Sequence, residues 1–419
     1  MVKRNFWLER ITQAWRQKPI VWLAGVRRAG KTFLAKSLGE TNFLDCELPR
    51  VRRDLEDPED FFRNVTARRI VFDEIHRLKN PAELLKIAAD HFPHLRILAT
   101  GSSTLAATRK FRDTLTDRKR VIHLTPMIWQ DLLDFRQPDL SHRFLQGGLP
   151  PFFLRPRPVD EDFTDWMDSY WSKDIQALFR FDRRFAFLRF VELVFARSGG
   201  IFDATSFAAD CEVSRPTINN FLSALETTFV ATRVRPYSTR KTTEIVAAPK
   251  VYAFDTGFVC YYRGWQTLRP DDRGPLWEHL VLNELLAHGH VPSYWRTKQG
   301  HEIDFVLAPR GRAPLAIECK WKERTFSADA VAAFRRYYPG GKNLLVVSDA
   351  VQPKRRSFAG LEFDVCSISH LGKWLSRETS ATALDVYERL DLGPGGYVRA
   401  EGAGPKRAVR DAIRRKHRR

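Results

Sequence analysis

Apolar residues along this chain follow three successive rhythms. Over the first 160 residues, short apolar runs at 20–24, 69–72, 95–99 and 121–124 alternate with stretches of helical period, which predicts an α/β unit with a mainly parallel sheet covered on both faces. The proline-rich stretch 149–158 reads as a linker, and 166–197 is aromatic-rich and helical in period. At 206–226 the spacing predicts helix, turn and helix: Ser214 can cap, Pro216 falls in the first turn, and Ile218, Phe221, Leu222 and Leu225 recur on one face. Strands at 229–234 and 250–254 would follow as a wing. The third rhythm is a helix at 276–286 followed by alternating strands at 302–307 and 316–321. The expected domains are therefore 1–160, 161–265, 266–375 and an extension at 376–419.

Chemistry enters where strands end. Residues 25–32, Gly25-Val26-Arg27-Arg28-Ala29-Gly30-Lys31-Thr32, fit the phosphate-cradling loop G-x-x-x-x-G-K-[ST], between an apolar strand and a helix. Backbone N–H groups of Gly25 to Gly30, with Arg28, Ala29 and Phe33 alongside, would surround the phosphates of ATP. Lys31 would neutralise them, and the Thr32 hydroxyl would ligate Mg²⁺. The strand at 69–72 ends in Asp73 and Glu74, which suits hydrolysis: Asp73 for the Mg²⁺ shell, Glu74 to orient water. At the tip of the strand 95–99, Ser102 is either a sensor of the terminal phosphate or part of an ordinary serine-rich turn. Arg118 could act on the nucleotide of a neighbouring subunit in a homo-oligomer.

A second cluster lies late in the chain. Period-two alternation puts Glu318 and Lys320 on one strand face, where Asp304 can join them, and Glu278 on the preceding helix is in register with its core-facing positions. This is the D…E-x-K arrangement of metal-dependent phosphodiester hydrolysis: Asp304 and Glu318 would hold Mg²⁺, Lys320 would orient the nucleophile, and Glu278 would assist, with Glu284 as the other candidate on that helix. An ordinary hairpin with a Glu–Lys cross-strand pair has the same spelling. In the middle segment, Arg215, Thr217, Asn219 and Asn220 are left outward for a DNA groove or its phosphates, unless the unit serves only to pack.

These motifs together resemble the uncharacterised prokaryotic AAA-type ATPases with a winged-helix middle and a C-terminal domain of unknown function of restriction-endonuclease-like, PD-(D/E)XK type. The likeness runs in order from about residue 5 to about residue 350. It is carried by residues 25–32, the acid pair at 73–74, Ala99-Thr100-Gly101-Ser102-Ser103, Arg118 with the following Leu124-Thr125-Pro126, Gly147-Gly148-Leu149-Pro150, 250–257, 276–281 and 300–305. It implies an ATPase core, a winged helix-turn-helix and a nuclease-like end. Asp117 departs from the small residue usual before the arginine.

Composition narrows the partners. The chain has 419 residues, 43% of them hydrophobic, enough for several cores. Its apolar runs are far shorter than a membrane span and its start lacks a signal-peptide stretch, which predicts a cytoplasmic protein with no membrane partner. The five cysteines are scattered without metal spacing, so free thiols are expected. Sixty-nine basic against 50 acidic side chains give a formal charge of +19, and residues 405–419 form a basic tail, so nucleic acid, DNA first, is the expected partner. The sequence thus predicts an ATP-hydrolysing, nucleic-acid-processing protein that couples a P-loop ATPase to a metal-dependent nuclease-like domain acting on DNA. The alternative is a nucleotide-switched DNA-binding regulator whose nuclease-like domain binds without cutting.

Overall fold

Five apolar strands, bounded by turns and helices, build the first sheet: β1 (Ile20–Ala24), β2 (Asn42–Asp45), β3 (Arg69–Asp73), β4 (Arg96–Thr100) and β5 (Lys119–His123). The computed structural model describes residues 2–101, 115, 117–179, 181, 183–239, 248–309 and 311–379. All neighbours in this sheet are parallel, in the order β2-β3-β4-β1-β5. Both faces are covered, so β1 is buried at every position, and Trp22, Ile70, Phe72, Ile97 and Leu85 share one core. Because β4 lies between β1 and β3, the tip of β4 falls between the glycine loop and the acid pair.

The middle segment is helical. A run from Asp160 to Phe179, with one π-helical turn at Trp171–Ile175, precedes helices Arg184–Ala196, Ala204–Asp210 and Arg215–Thr227. Ser214 caps the last of these, its Oγ accepting from the Thr217 N–H at 3.4 Å, and Ile218, Phe221, Leu222 and Leu225 are buried. Arg215, Asn219 and Asn220 are exposed. Strands β6 (Ala231–Pro236) and β7 (Lys250–Ala253) follow as an antiparallel pair.

That pair does not stand apart. β6 also pairs in parallel with β8 (Ser293–Arg296), and beyond it run β9 (Glu302–Leu307), β10 (Leu315–Lys320), β11 (Asn343–Val347), β12 (Lys354–Phe358) and β13 (Leu361–Cys366), giving one eight-stranded sheet ordered β12-β13-β11-β10-β9-β8-β6-β7. The expected wing is therefore also the end of the C-terminal sheet. The helix Arg273–Ala287 packs on β10, with Trp277 donating to the Val346 carbonyl at 2.9 Å.

By its contacts the chain divides into two units, Met1–Gly372 and Lys373–Arg419. The expected segments 1–160 and 161–265 lie in the first, and so does 266–375 as far as Gly372. The basic tail at 405–419 lies outside the described residues. All five cysteines are free and buried, and among the described residues no helix is long and apolar enough to cross a membrane.

Two short motifs far apart in sequence meet inside the first unit. The Asp255 carboxylate accepts from the Gly148 N–H at 2.6 Å and the Gly257 N–H at 2.8 Å. Arg143, fully buried, donates to the Met127 carbonyl (2.9 Å) and Thr256 Oγ1 (2.7 Å), 3.8 Å from Asp255. Gly147 has φ 78°, and a Cβ there would stand 2.0 Å from Asp255 Oδ1. Gly147→Ala is therefore expected to cost about 3 kcal/mol or more, read as a lowered urea midpoint; an unchanged midpoint would show that the clamp does not bear on stability.

Candidate functional site

The glycine loop leaves β1 at Gly25, where φ is 153° and an added Cβ would meet the Leu124 carbonyl at 2.6 Å. Arg28 is also left-handed, at φ 64°. The loop is braced from outside: the Trp166 indole donates to the Arg27 carbonyl (3.2 Å), Arg27 pairs with Asp174 (3.0 Å), and Arg4 donates to the Ala29 carbonyl (2.9 Å). Arg4 is itself held by both oxygens of buried Asp131, at 2.8 and 2.6 Å. None of Arg4, Asp131 or Asp174 carries a motif, so sequence reading misses them.

Inside the loop, the Lys31 ammonium donates to the carbonyls of Gly25 (2.9 Å) and Val26 (3.0 Å). Burial lowers its pKa, opposed by Glu74 and Asp174. Thr32 opens the helix Lys31–Lys36 and donates to Asp73 Oδ2 at 2.8 Å, while the Thr100 hydroxyl, at the tip of β4, bonds the other oxygen. Burial raises the Asp73 pKa, and these two hydroxyls pull it back. Glu74 stands next to it at φ 50°, its carboxylate 3.1 Å from His76 Nδ1, a contact that lowers its pKa.

Thr100 is the hydroxyl at the β4 tip that reaches the acid pair among the described residues; Ser102, named from the sequence, lies outside them. Phe33 is exposed and Arg28 points outward. Arg118 lies far from the glycine loop of its own chain, which leaves the expected role on a neighbouring subunit's nucleotide untested. It precedes β5 at the end where Lys119 pairs with Ile20, whereas the glycine loop follows Ala24 at the opposite end of the strands, about 15 Å away at the usual rise per residue. It forms a two-toothed pair with Asp90 instead (2.6 and 3.1 Å). His123 occupies the loop end of β5, stacked on Phe229 at 4.4 Å, its pKa pushed down to about 4 by burial and the Lys31 charge.

The late residues do converge. Lys320 Nζ lies 3.3 Å from Glu318 Oε2 and 4.0 Å from Asp304 Oδ2, and Asp304 accepts from the Cys319 N–H at 2.8 Å. Glu318 Oε1 is buried without a hydrogen-bond partner. Glu278 faces the same cluster, its Oε2 accepting from the Tyr252 hydroxyl at 3.0 Å; burial and the nearby Asp304 push its pKa up to about 8. Burial and Asp304 also raise Glu318 well above the usual carboxylate range. Burial works against the Lys320 charge, but Asp304 and Glu318 outweigh it, and the ammonium is held protonated. That suits Lys320 to positioning and charge neutralisation rather than to taking a proton. Among the described residues no three His, Cys, Asp or Glu side chains are grouped so as to hold a metal by themselves.

Glu284 faces elsewhere. Its Oε1 accepts from the Trp129 N–H at 2.7 Å, which ties helix Arg273–Ala287 to helix Trp129–Asp134.

Residues 17–133 match the AAA domain family, 137–269 a domain of unknown function (DUF8612) and 273–364 another (DUF4143). The uncharacterised proteins Rv2008c of Mycobacterium tuberculosis and Mb2031c of Mycobacterium bovis are each 26% identical over 334 residues, 76% of this chain and 74% of theirs. Among solved structures, a STAND protein with a tetratricopeptide repeat sensor, PH0952 from Pyrococcus horikoshii, is matched over 67% of this chain and 46% of its own at 12% identity and TM-score 0.26. The McrB AAA+ hexamer with bound McrC of Thermococcus gammatolerans is matched over 59% and 74% at 11% and 0.23. This chain spans under half of the first of these, and TM-scores of this size do not amount to a shared fold. The family match, the parallel sheet and the glycine loop make residues 17–133 an AAA-type P-loop ATPase domain.

Burial raises the Glu284 pKa from 4.5 to about 8. Between those values the folded chain holds a proton that the unfolded chain has lost, so the stabilisation is complete below about pH 4.5 and fades as pH rises through about 8. Glu284→Gln keeps an acceptor for Trp129 and removes the titration. The wild-type Tm should fall by several degrees relative to this variant between about pH 5 and pH 8.5; parallel curves would refute a raised pKa.

Proposed function

We propose that this AAA-type ATPase domain drives or gates a metal-dependent nuclease-like domain acting on DNA, within one polypeptide divided into an ATPase at 1–160, a helical and winged-helix segment at 161–265, a PD-(D/E)XK-like domain at 266–375 and an extension at 376–419. The observation that carries the second half is the buried, unpartnered Glu318 Oε1 beside Asp304 and Lys320. A buried carboxylate oxygen with no hydrogen-bond partner suits coordination of a cation, and Mg²⁺ commonly takes only one or two protein carboxylates. Asp304 and Glu318 would hold the ion, which supplies charge to offset a scissile phosphate.

The chain's own residues then divide the work. Lys320 lends a fixed positive charge and orients water. Glu278, with a proton at neutral pH, can donate a hydrogen bond. At the other site Thr32 and Asp73 would hold the Mg²⁺ of ATP, Lys31 would exchange its loop carbonyls for phosphate oxygens, and Glu74 would direct the attacking water. The formal charge of +19 supports a polyanionic partner.

A regulatory reading, in which this region binds DNA without cutting, is favoured by the ion pairs that already engage both acids with Lys320.

Lys31→Ala should reduce ATP turnover at least 100-fold, by loss of a charge that acts on the phosphates, with the circular dichroism spectrum unchanged; wild-type turnover in the variant would refute the loop's role. Incubated with Mg²⁺ or Mn²⁺ and duplex, single-stranded or branched DNA, with and without ATP, the wild type should cleave at least one form and Lys320→Ala should lose most of that activity. Absence of cleavage by the wild type in every condition would leave the regulatory reading in place.

A further inference from the structure

We propose that the cleft next to the acid cluster seats the backbone of a DNA strand, with Lys250 at its floor and Arg296 at its rim gripping a phosphate; this rests on reading Asp304, Glu318 and Lys320 as a site for phosphodiesters. The cleft encloses about 280 Å³ and is lined by Lys250, Arg263, Glu278, Arg296, Glu302 and the glycine pair Gly199-Gly200. It therefore shares Glu278 with the acid cluster.

Lys250 is delivered by β7, which two strands, β8 and β6, separate from β9 in the sheet. By the period of two it shares a face with Tyr252, whose hydroxyl holds Glu278. Its side chain is only 6% exposed and is paired with Glu302, which stands two residues before Asp304 on the same face of β9. Burial works against this ammonium, and Glu278, Asp304 and Glu302 more than restore its charge. Arg296, half exposed, lies 3.6 Å from the same Glu302. Arg263 is fixed by the carbonyls of Ala196 (2.8 Å) and Ser198 (3.0 Å) and adds charge without being free to move.

Three cations thus face two carboxyls, so the charge of the cleft lining is positive. Gly199 and Gly200 leave one wall without side chains, where a sugar-phosphate backbone can lie close. A purely structural Lys250–Glu302 pair would explain the link between β7 and β9. It would not explain why a second cation leans on the same glutamate at the rim of an open cleft.

The test is equilibrium binding of a short fluorescein-labelled DNA duplex to the full chain across a salt series, without divalent metal, read by anisotropy. Lys250→Met and Arg296→Gln should each weaken binding several-fold and flatten the slope of log K against log salt by about one, the signature of a lost phosphate contact. Lys250→Arg should keep both. Arg296→Gln alters only a rim residue, so it reports even where Lys250→Met fails to fold. Wild-type affinity and slope in both variants overturn the cleft assignment while leaving the acid-site reading untouched. No measurable binding by the wild type overturns both.

Discussion

One buried carboxylate in the first unit cannot be left alone and ties distant segments together. Asp255 is fully enclosed, and an isolated charge in such a place would cost several kcal/mol. The backbone N–H groups of Gly148 and Gly257 and the neighbouring Arg143 offset that cost, so the 143–148 segment is tied to residues 255–257. Gly147 and Gly148 are there because anything larger would collide with Asp255 or Arg143. Pro150, two residues on, then comes close to Gly30 of the nucleotide loop. The field of Arg143 also reaches Asp131 and Glu284, so this ion cluster underlies the junction between the loop's bracing and the helix that carries Glu278.

Strand order does the equivalent work at the nucleotide site. With β4 inserted between β1 and β3, Thr32 and Thr100 approach Asp73 from opposite sides and each takes one of its oxygens. The carboxylate is thereby aimed before any ligand arrives. Preorganisation of this kind lowers the cost of later binding, because the side chain has no rotamers left to give up.

Much of this was legible from spelling alone. The glycine loop, the acid pair and the D…E-x-K residues lie at strand and helix ends with periods that a linear reading resolves. What resisted was anything fixed by pairing between distant segments. Arg4 and Asp131 are 127 positions apart and follow no pattern, yet they hold the Ala29 carbonyl. Gly147-Gly148-Leu149-Pro150 and Phe254-Asp255-Thr256-Gly257 could be seen as motifs but not as one another's partners. A strand tip offers several hydroxyls, and only the sheet's order shows that Thr100 reaches the Asp73 carboxylate. Only the register of β5 on β1 shows that Arg118 lies at the end of the strands away from its own chain's glycine loop.

The junction of β6 with β8 carries a practical corollary for anyone dissecting this polypeptide. A fragment begun at residue 266 would retain β8 stripped of its neighbour, baring a row of unsatisfied amides and carbonyls of the sort that recruits stray chains into aggregates. It would also discard Lys250 and Tyr252. The sensible cut falls upstream of residue 231, where the ribbon that finishes the sheet travels with the rest of it.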